Sequence, residues 1–146
     1  MNVTCIDPVF GEVQYKHRWY KKSSLFLFDR EWNITVSAKA YSRRPITNQQ
    51  QESYQQFCNR YSEMAAILST QLIEYINDHC EEFAAYWSGA RMVTAAYELA
   101  QIVTPKTLLI HPDGTLMLLL DCPWDEHGIA VQLLPNVCIG PQDIFL

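Results

Sequence analysis

The sequence predicts an α+β domain in which a mostly antiparallel sheet, made of an N-terminal hairpin plus C-terminal strands, packs against a long central helix with one or two shorter helices. Three observations lead there. Between Trp32 and Ala40 apolar and polar residues alternate, the period of a strand with one buried and one wet face. Between Tyr54 and Ile76 apolar residues recur at spacings of three and four, the period of a helix with one buried stripe. From Leu116 to Leu120 the residues are apolar without alternation, which suits a strand covered on both faces.

Taken in order, Gly11 to Tyr20 reads as a first strand with a break, and Ser23 to Phe28 as a second. The charged stretch Asp29-Arg30-Glu31 separates the latter from Trp32 to Ala40, with which it should form an antiparallel hairpin. Trp32, Ile34, Val36, Ala38 and Ala40 share the face toward the core. Pro45 ends the extended region, and Thr47 followed by Gln50 offers a capping box, in which the two side chains satisfy free amides at a helix start. Tyr54, Phe57, Tyr61, Met64, Ala65, Leu68, Leu72, Tyr75 and Ile76 form the stripe of the long helix. Gly89 can terminate a short second helix, and a third is expected from about Met92 to Ile102, closed by Pro105. Thr107 to Ile110 and Thr115 to Leu120 flank the turn His111-Pro112-Asp113-Gly114. A strand at Ile129 to Leu134, a turn at Pro135-Asn136 and a short return at Val137 to Ile139 complete the sheet.

Composition places all of this in one domain, residues 1–146. A chain of this size can bury roughly 70% of its unfolded surface. The 49% apolar and 18% charged content is that of an ordered globular protein. Eleven Lys and Arg against sixteen Asp and Glu leave a net charge of −5, which opposes a phosphate backbone and argues against nucleic acid as a partner. The basic clusters Lys16-His17-Arg18, Lys21-Lys22 and Arg43-Arg44 read as solvated turns. Neither a signal-like start nor an apolar run of spanning length is present, so the expectation is a cytoplasmic protein without membrane association. Five cysteines, an odd and widely spaced set without a C-x-x-C pair, indicate neither a disulfide framework nor a zinc site. In that compartment the sequons at Asn2 and Asn33 carry no weight.

The segment Asp121-Cys122-Pro123-Trp124-Asp125-Glu126-His127-Gly128 is the most distinctive in the chain. Its polar residues lie between two apolar strands and reach one end of the sheet together. Asp121, Asp125, Glu126 and His127 would suit a divalent metal, or a carboxylate orienting His127 as a general base. The other histidines, His17, His79 and His111, occur singly, and there is neither a nucleophile motif nor a glycine-rich phosphate loop. No catalytic residue, metal ligand or cofactor is therefore assigned. The competing reading is structural, with Trp124 burying its ring at the sheet end and Gly128 permitting a turn. Tyr86 and Trp87, aromatic residues beside the break at Gly89, are candidate surface anchors that can equally be core.

The order of signals resembles an uncharacterised family of bacterial domains. The residues that carry the resemblance are Pro45-Ile46 with Gln50, Pro105 with Leu108, Asp121-Cys122, Trp124-Asp125 and Glu126-His127-Gly128, and the terminal Gln142-Asp143 ending in Leu146. Residues 80 to 104, helical in tendency and rich in Ala, depart from the family pattern. The resemblance implies a fold rather than an activity. Similar domains resemble immunity proteins of toxin systems, small acidic modules that neutralise a toxin by binding it. The function expected is a non-catalytic module that binds a protein partner, immunity-like, through Tyr86, Trp87, Trp124, Asp125, Glu126 and His127. The alternative is a metal-dependent or small-molecule-binding enzyme built on Asp121, Asp125, Glu126 and His127. Either is compatible with a homo-oligomer formed through a sheet edge.

Overall fold

A computed structural model describes residues 3–41 and 43–145, so Asn2, with its sequon, and Leu146, the last residue of the terminal motif, lie outside the described residues. The strands are β1 (Val3–Asp7), β2 (Gly11–Tyr15), β3 (Trp19–Leu27) and β4 (Arg30–Ala38), followed by helices α1 (Asn48–Asn59), α2 (Tyr61–Asp78), α3 (Cys80–Phe83) and α4 (Ala96–Leu99). After these come β5 (Thr104–Ile110), β6 (Leu116–Cys122), β7 (Asp125–Leu134), β8 (Cys138–Pro141) and α5 (Gln142–Phe145). The strands form one eight-stranded sheet whose spatial order is the chain order. Neighbours are antiparallel except β4 and β5, which run parallel. A parallel pair needs a crossover of a dozen or more residues. The four helices between Asn48 and Leu99 lie in that crossover.

This corrects the expected fold in two respects. The sheet is one continuous eight-stranded mixed sheet, with four N-terminal strands in place of the expected hairpin and a parallel pair at its centre, and it dominates the molecule. There is also no long central helix. The backbone leaves helical geometry at Arg60 (φ −111°, ψ 30°) and again at His79 (φ −111°, ψ 12°), cutting the expected helix into α1, α2 and α3. Buried positions run Tyr54, Phe57, Met64, Leu68, Leu72, Ile76 and Phe83. Phe57 to Met64 and Ile76 to Phe83 are each seven residues apart, close to two helical turns. The apolar rhythm therefore passes through both breaks without a fault.

The third helix shrinks to the single turn of α4 for a specific reason. The Asn77 side chain donates to the Val93 carbonyl at 2.9 Å and accepts the Val93 N–H at 2.7 Å. An amide paired with a backbone in this way mimics a strand partner and takes both groups away from helix formation. Val93 itself is buried.

In the N-terminal half, the hairpin of β3 and β4 turns at Phe28 and Asp29 (φ 56° and 58°), between the paired Leu27 and Arg30. Two consecutive left-handed residues make a type I′ turn, whose twist matches that of the strands. A phenylalanine is costly there, and burial of its ring in the core offsets that cost. Arg30 and Glu31 belong to β4 rather than to the separator.

The core lies between the helices and one face of the sheet. Ile34, Val36 and Ala38 of β4, Leu108 and Ile110 of β5, Leu116, Leu118 and Leu120 of β6, and Ile129, Val131 and Leu133 of β7 join the helical stripe in one cluster. On the opposite face Leu109, Met117, Leu119 and Ala130 form a second, smaller cluster, against which Phe145 of α5 packs. Leu116 to Leu120 are thus buried at every position.

The start of α1 is stitched to the sheet by four polar side chains. Thr47 and Gln50 form the reciprocal capping box, with Gln50 N donating to Thr47 Oγ1 at 3.1 Å and Thr47 N to Gln50 Oε1 at 2.9 Å. The Gln50 amide also donates to the carbonyls of Lys39, just past β4, and Ile110, the end of β5, at 2.8 and 3.0 Å. Beside it, Gln51 donates to Asp7 at 2.8 Å, while the other Asp7 oxygen accepts the N–H groups of Val9 and Phe10 in the turn from β1 to β2. Thr47 and Ser53 donate to Pro112 and Gly114 in the turn from β5 to β6. Gln50 is fully buried, and removing a buried hydrogen-bonding partner leaves its acceptors desolvated. Gln50→Ala should therefore lower unfolding free energy by about 3 kcal/mol, against under about 1 kcal/mol for Gln55→Ala on the exposed face of the same helix. Urea denaturation of the two variants checks the difference.

Candidate functional site

The segment that stands out in the sequence folds into a turn and an irregular strand. Cys122 pairs with Asp125 across Pro123-Trp124, and the next pair is Leu120 with Ile129. Between these pairs β6 has Asp121 alone while β7 has Glu126, His127 and Gly128. The surplus residues bulge outward, as unpaired residues in a strand must, and Glu126 and His127 are exposed. Asp125 Oδ1 accepts the His127 N–H at 2.9 Å and holds the bulge from within.

Gly128 closes the bulge at φ 80°, and a Cβ there would lie 2.4 Å from the Leu120 carbonyl oxygen and 2.6 Å from Nε2 of Gln142. The absence of a side chain admits the Gln142 amide, which donates to the carbonyls of Leu120 and Ile129 at 3.3 Å each. The Glu-His-Gly and terminal Gln-Asp motifs are therefore two halves of one local structure.

Facing this bulge is the aromatic end of the helical region. The rings of Phe83 and Trp124 stack at 4.3 Å and 8°, and Trp87 leans on Trp124 at 5.7 Å. Tyr75 and His79 extend the stack behind Phe83. Between the two walls lies a cleft of about 380 Å³. Tyr75, Glu82, Phe83 and Tyr86 line it from the helical side, and Trp124, Asp125, Glu126, His127 and Pro141 from the sheet side.

Five of the six expected binding residues thus come together, while Trp87 stands half-buried against Trp124. Asp121 is not brought to the cleft; its carboxylate lies 3.6 Å from Lys106 on β5. The lining residues that sequence reasoning missed are Pro141 on the sheet side and, on the helical side, Tyr75, Glu82 and Phe83. With Tyr86 the latter three sit at spacings of seven, eight and eleven, one face of a helix, but Tyr75 in that pattern is indistinguishable from core.

Burial and carboxylate charge together shape the electrostatics of the cleft. The Tyr75 hydroxyl is pushed above its ordinary value first by burial and then by the charges of Glu82, Cys122 and Asp125. The Cys122 thiol is pushed up to about 11, chiefly by burial, with Asp125 and Asp121 adding to the shift while backbone hydrogen bonds from Asp125 and Trp124 oppose it. His127 Nε2 lies 3.5 Å from Glu126 Oε1. Among the described residues no three His, Cys, Asp or Glu side chains are grouped so as to hold a metal ion. All five cysteines are unpaired.

A smaller cleft of about 260 Å³ lies between α1 and β3 and is lined by Tyr54, Phe57, Leu25, Ile34 and Val36 among others. It contains no Asp, Glu, Lys, Arg or His, whereas the Trp124 cleft combines aromatic walls with carboxylates.

Residues 9–146 match the family described as a domain of unknown function, DUF6985. The chain belongs to that family. The DUF6985 match takes in β2 through β8, all five helices and both walls of the cleft, and begins after β1. No curated protein and no solved structure matches the chain. No helix among the described residues is long and apolar enough to cross a membrane.

Two outcomes are expected. Gly128→Ala should cost about 3 kcal/mol of unfolding free energy, because the added Cβ meets backbone and the φ is strained. Gln142→Ala should cost about 1–2 kcal/mol through the orphaned carbonyls; chemical denaturation measures both. The second outcome concerns pH. A thiol whose folded value lies above its ordinary 9.0 binds its proton more tightly in the native state, so its stabilising effect is complete below pH 9 and is lost as pH rises toward 11. The melting temperature should fall across that window, and less steeply for Cys122→Ala.

Proposed function

We propose that this protein is a non-catalytic protein-binding module that holds its partner at the cleft between Tyr86 and the Trp124 to His127 bulge. The observation that carries the reading is the union, in one concave site, of an exposed aromatic ring with an acidic rim. Tyr86 is 75% exposed although it flanks the stacked pair of Phe83 and Trp124. Tyrosine is, with tryptophan and arginine, enriched among the few residues that dominate protein interfaces. The carboxylates of Glu82, Asp125 and Glu126 favour encounter with a basic protein surface and oppose a phosphate polymer.

The specific form of this reading is immunity-like: a bacterial, cytoplasmic protein that neutralises a toxin by binding it. It rests on the resemblance drawn from the C-terminal motifs and on the net charge of −5, which suits capture of a basic toxin. An enzyme reading has less support. Asp125 accepts the backbone N–H of His127 rather than orienting its ring, and Asp121 is engaged elsewhere.

Affinity capture from extracts of the native host, with the wild-type protein and Tyr86→Ala compared, tests the proposal. A stoichiometric partner should be retained by the wild type and its affinity reduced about tenfold or more by Tyr86→Ala, with the melting temperature unchanged because the ring is exposed. Co-expression of that partner should impair growth unless the wild-type protein is present. Absence of a stoichiometric partner, or equal retention by both proteins, would sink the reading.

A further inference from the structure

The cleft beside Trp124 differs from an ordinary apolar groove in having aromatic residues in its walls and a rim of three carboxylates, with His127 beside Glu126. Phe83 and Trp124 lie flat on each other, and Tyr75 and Tyr86 flank them. Glu82 stands on the helical wall and Asp125 and Glu126 on the sheet wall, and no lysine or arginine is among the residues lining the cleft. Among the described residues neither Glu82 nor Asp125 has a cationic partner, the ion pairs being Arg60 with Glu63, Lys106 with Asp121 and His127 with Glu126. The fields of the two walls overlap inside the cleft, since Glu82 and Asp125 both act on the one Tyr75 hydroxyl.

Aromatic faces with carboxylates beside them are complementary to one kind of group. A cation is drawn to the ring faces by their quadrupoles and to the rim by Coulomb attraction. A guanidinium fits both at once, because it is flat enough to stack and its edge N–H groups form a fork that matches a carboxylate. An ammonium satisfies the carboxylates but keeps a tighter shell of water. The volume of about 380 Å³ is at the small end of ligand pockets, which suits one long side chain rather than a helix or strand.

We propose that the cleft is a receptor for a single arginine side chain presented by a basic protein partner, with the guanidinium stacked against the exposed Tyr86 ring and its edges toward Glu82 and Glu126. This deepens the protein-binding reading and rests on it for the source of the arginine. The carboxylates give direction to the contact and the aromatic ring gives it strength.

The direct test needs no knowledge of the partner. Blocked tripeptides Gly-Arg-Gly, Gly-Lys-Gly and Gly-citrulline-Gly are titrated into the protein while the indole N–H resonances of Trp87 and Trp124 are followed by NMR. Citrulline keeps the shape of arginine without its charge. The arginine peptide should shift both indole signals saturably, with the lysine peptide weaker and the citrulline peptide at least about tenfold weaker. In the double variant Glu82→Gln, Glu126→Gln the arginine response should weaken about tenfold; both residues are exposed, and the peptide series on the wild type stands by itself should the variant misfold. Equal responses to arginine and citrulline, or no saturable response to any peptide, overturn the proposal, and partner capture that persists in the double variant would then leave the protein-binding reading in place. An arginine-selective response without any captured protein would uphold the cleft chemistry and remove the protein-binding reading instead.

Discussion

The buried amide of Gln50 occupies the place where the two halves of the sheet meet. Its oxygen caps the start of α1 and its two N–H bonds end on the carbonyls of Lys39 and Ile110, one at each strand of the parallel pair. Lys39 N–H donates to Ile110 O at 2.9 Å in the same spot. Every other strand pairing joins chain neighbours through a turn, but the pairing of β4 with β5 must be held across the whole helical excursion. A side chain that bonds the helix start and both strand ends fixes the helical layer and the seam together. A buried polar group so connected specifies one arrangement, because any shift leaves donors or acceptors unpaired in a medium that penalises them.

The cleft at the far end of the helices depends on that placement. Its helical wall runs from the end of α2 through α3 to Tyr86, inside the excursion that begins at Thr47, and its sheet wall is the bulge at the start of β7. The stacked rings of Phe83 and Trp124 join the walls directly. The bulge is braced from behind by Gln142 and from within by Asp125. Glu126 and His127 are therefore presented by a rigid support, and only their own side chains remain free to adapt.

Much of this was legible in the sequence wherever the informative residues are contiguous. The alternation from Trp32 to Ala40, the Thr47 and Gln50 capping box, the apolar run of β6 and the sheet-side wall from Trp124 to His127 are each read from one short window. What was not legible depends on residues far apart. The breaks at Arg60 and His79 keep the apolar rhythm in phase, so periodicity sees one helix. The extended segment at Val93 is imposed by Asn77 across the fold. β1 was missed because it is a short edge strand whose Ile6 is 82% exposed, leaving little buried pattern to detect. Tyr75 and Glu82 serve the cleft only because the chain breaks between them and the sheet turn comes up opposite, and no local spacing encodes that meeting.

A sheet whose spatial order repeats its chain order has a consequence for how the molecule assembles. Six of its seven strand pairings are antiparallel contacts between successive strands, and one is parallel. The two meanders can each zip up from hairpins at small entropic expense, since their loops are short. The entropy of bringing distant chain together is concentrated in a single closure, that of β4 onto β5. Native contacts of high sequence separation slow folding, and this one seam is where the sheet concentrates them.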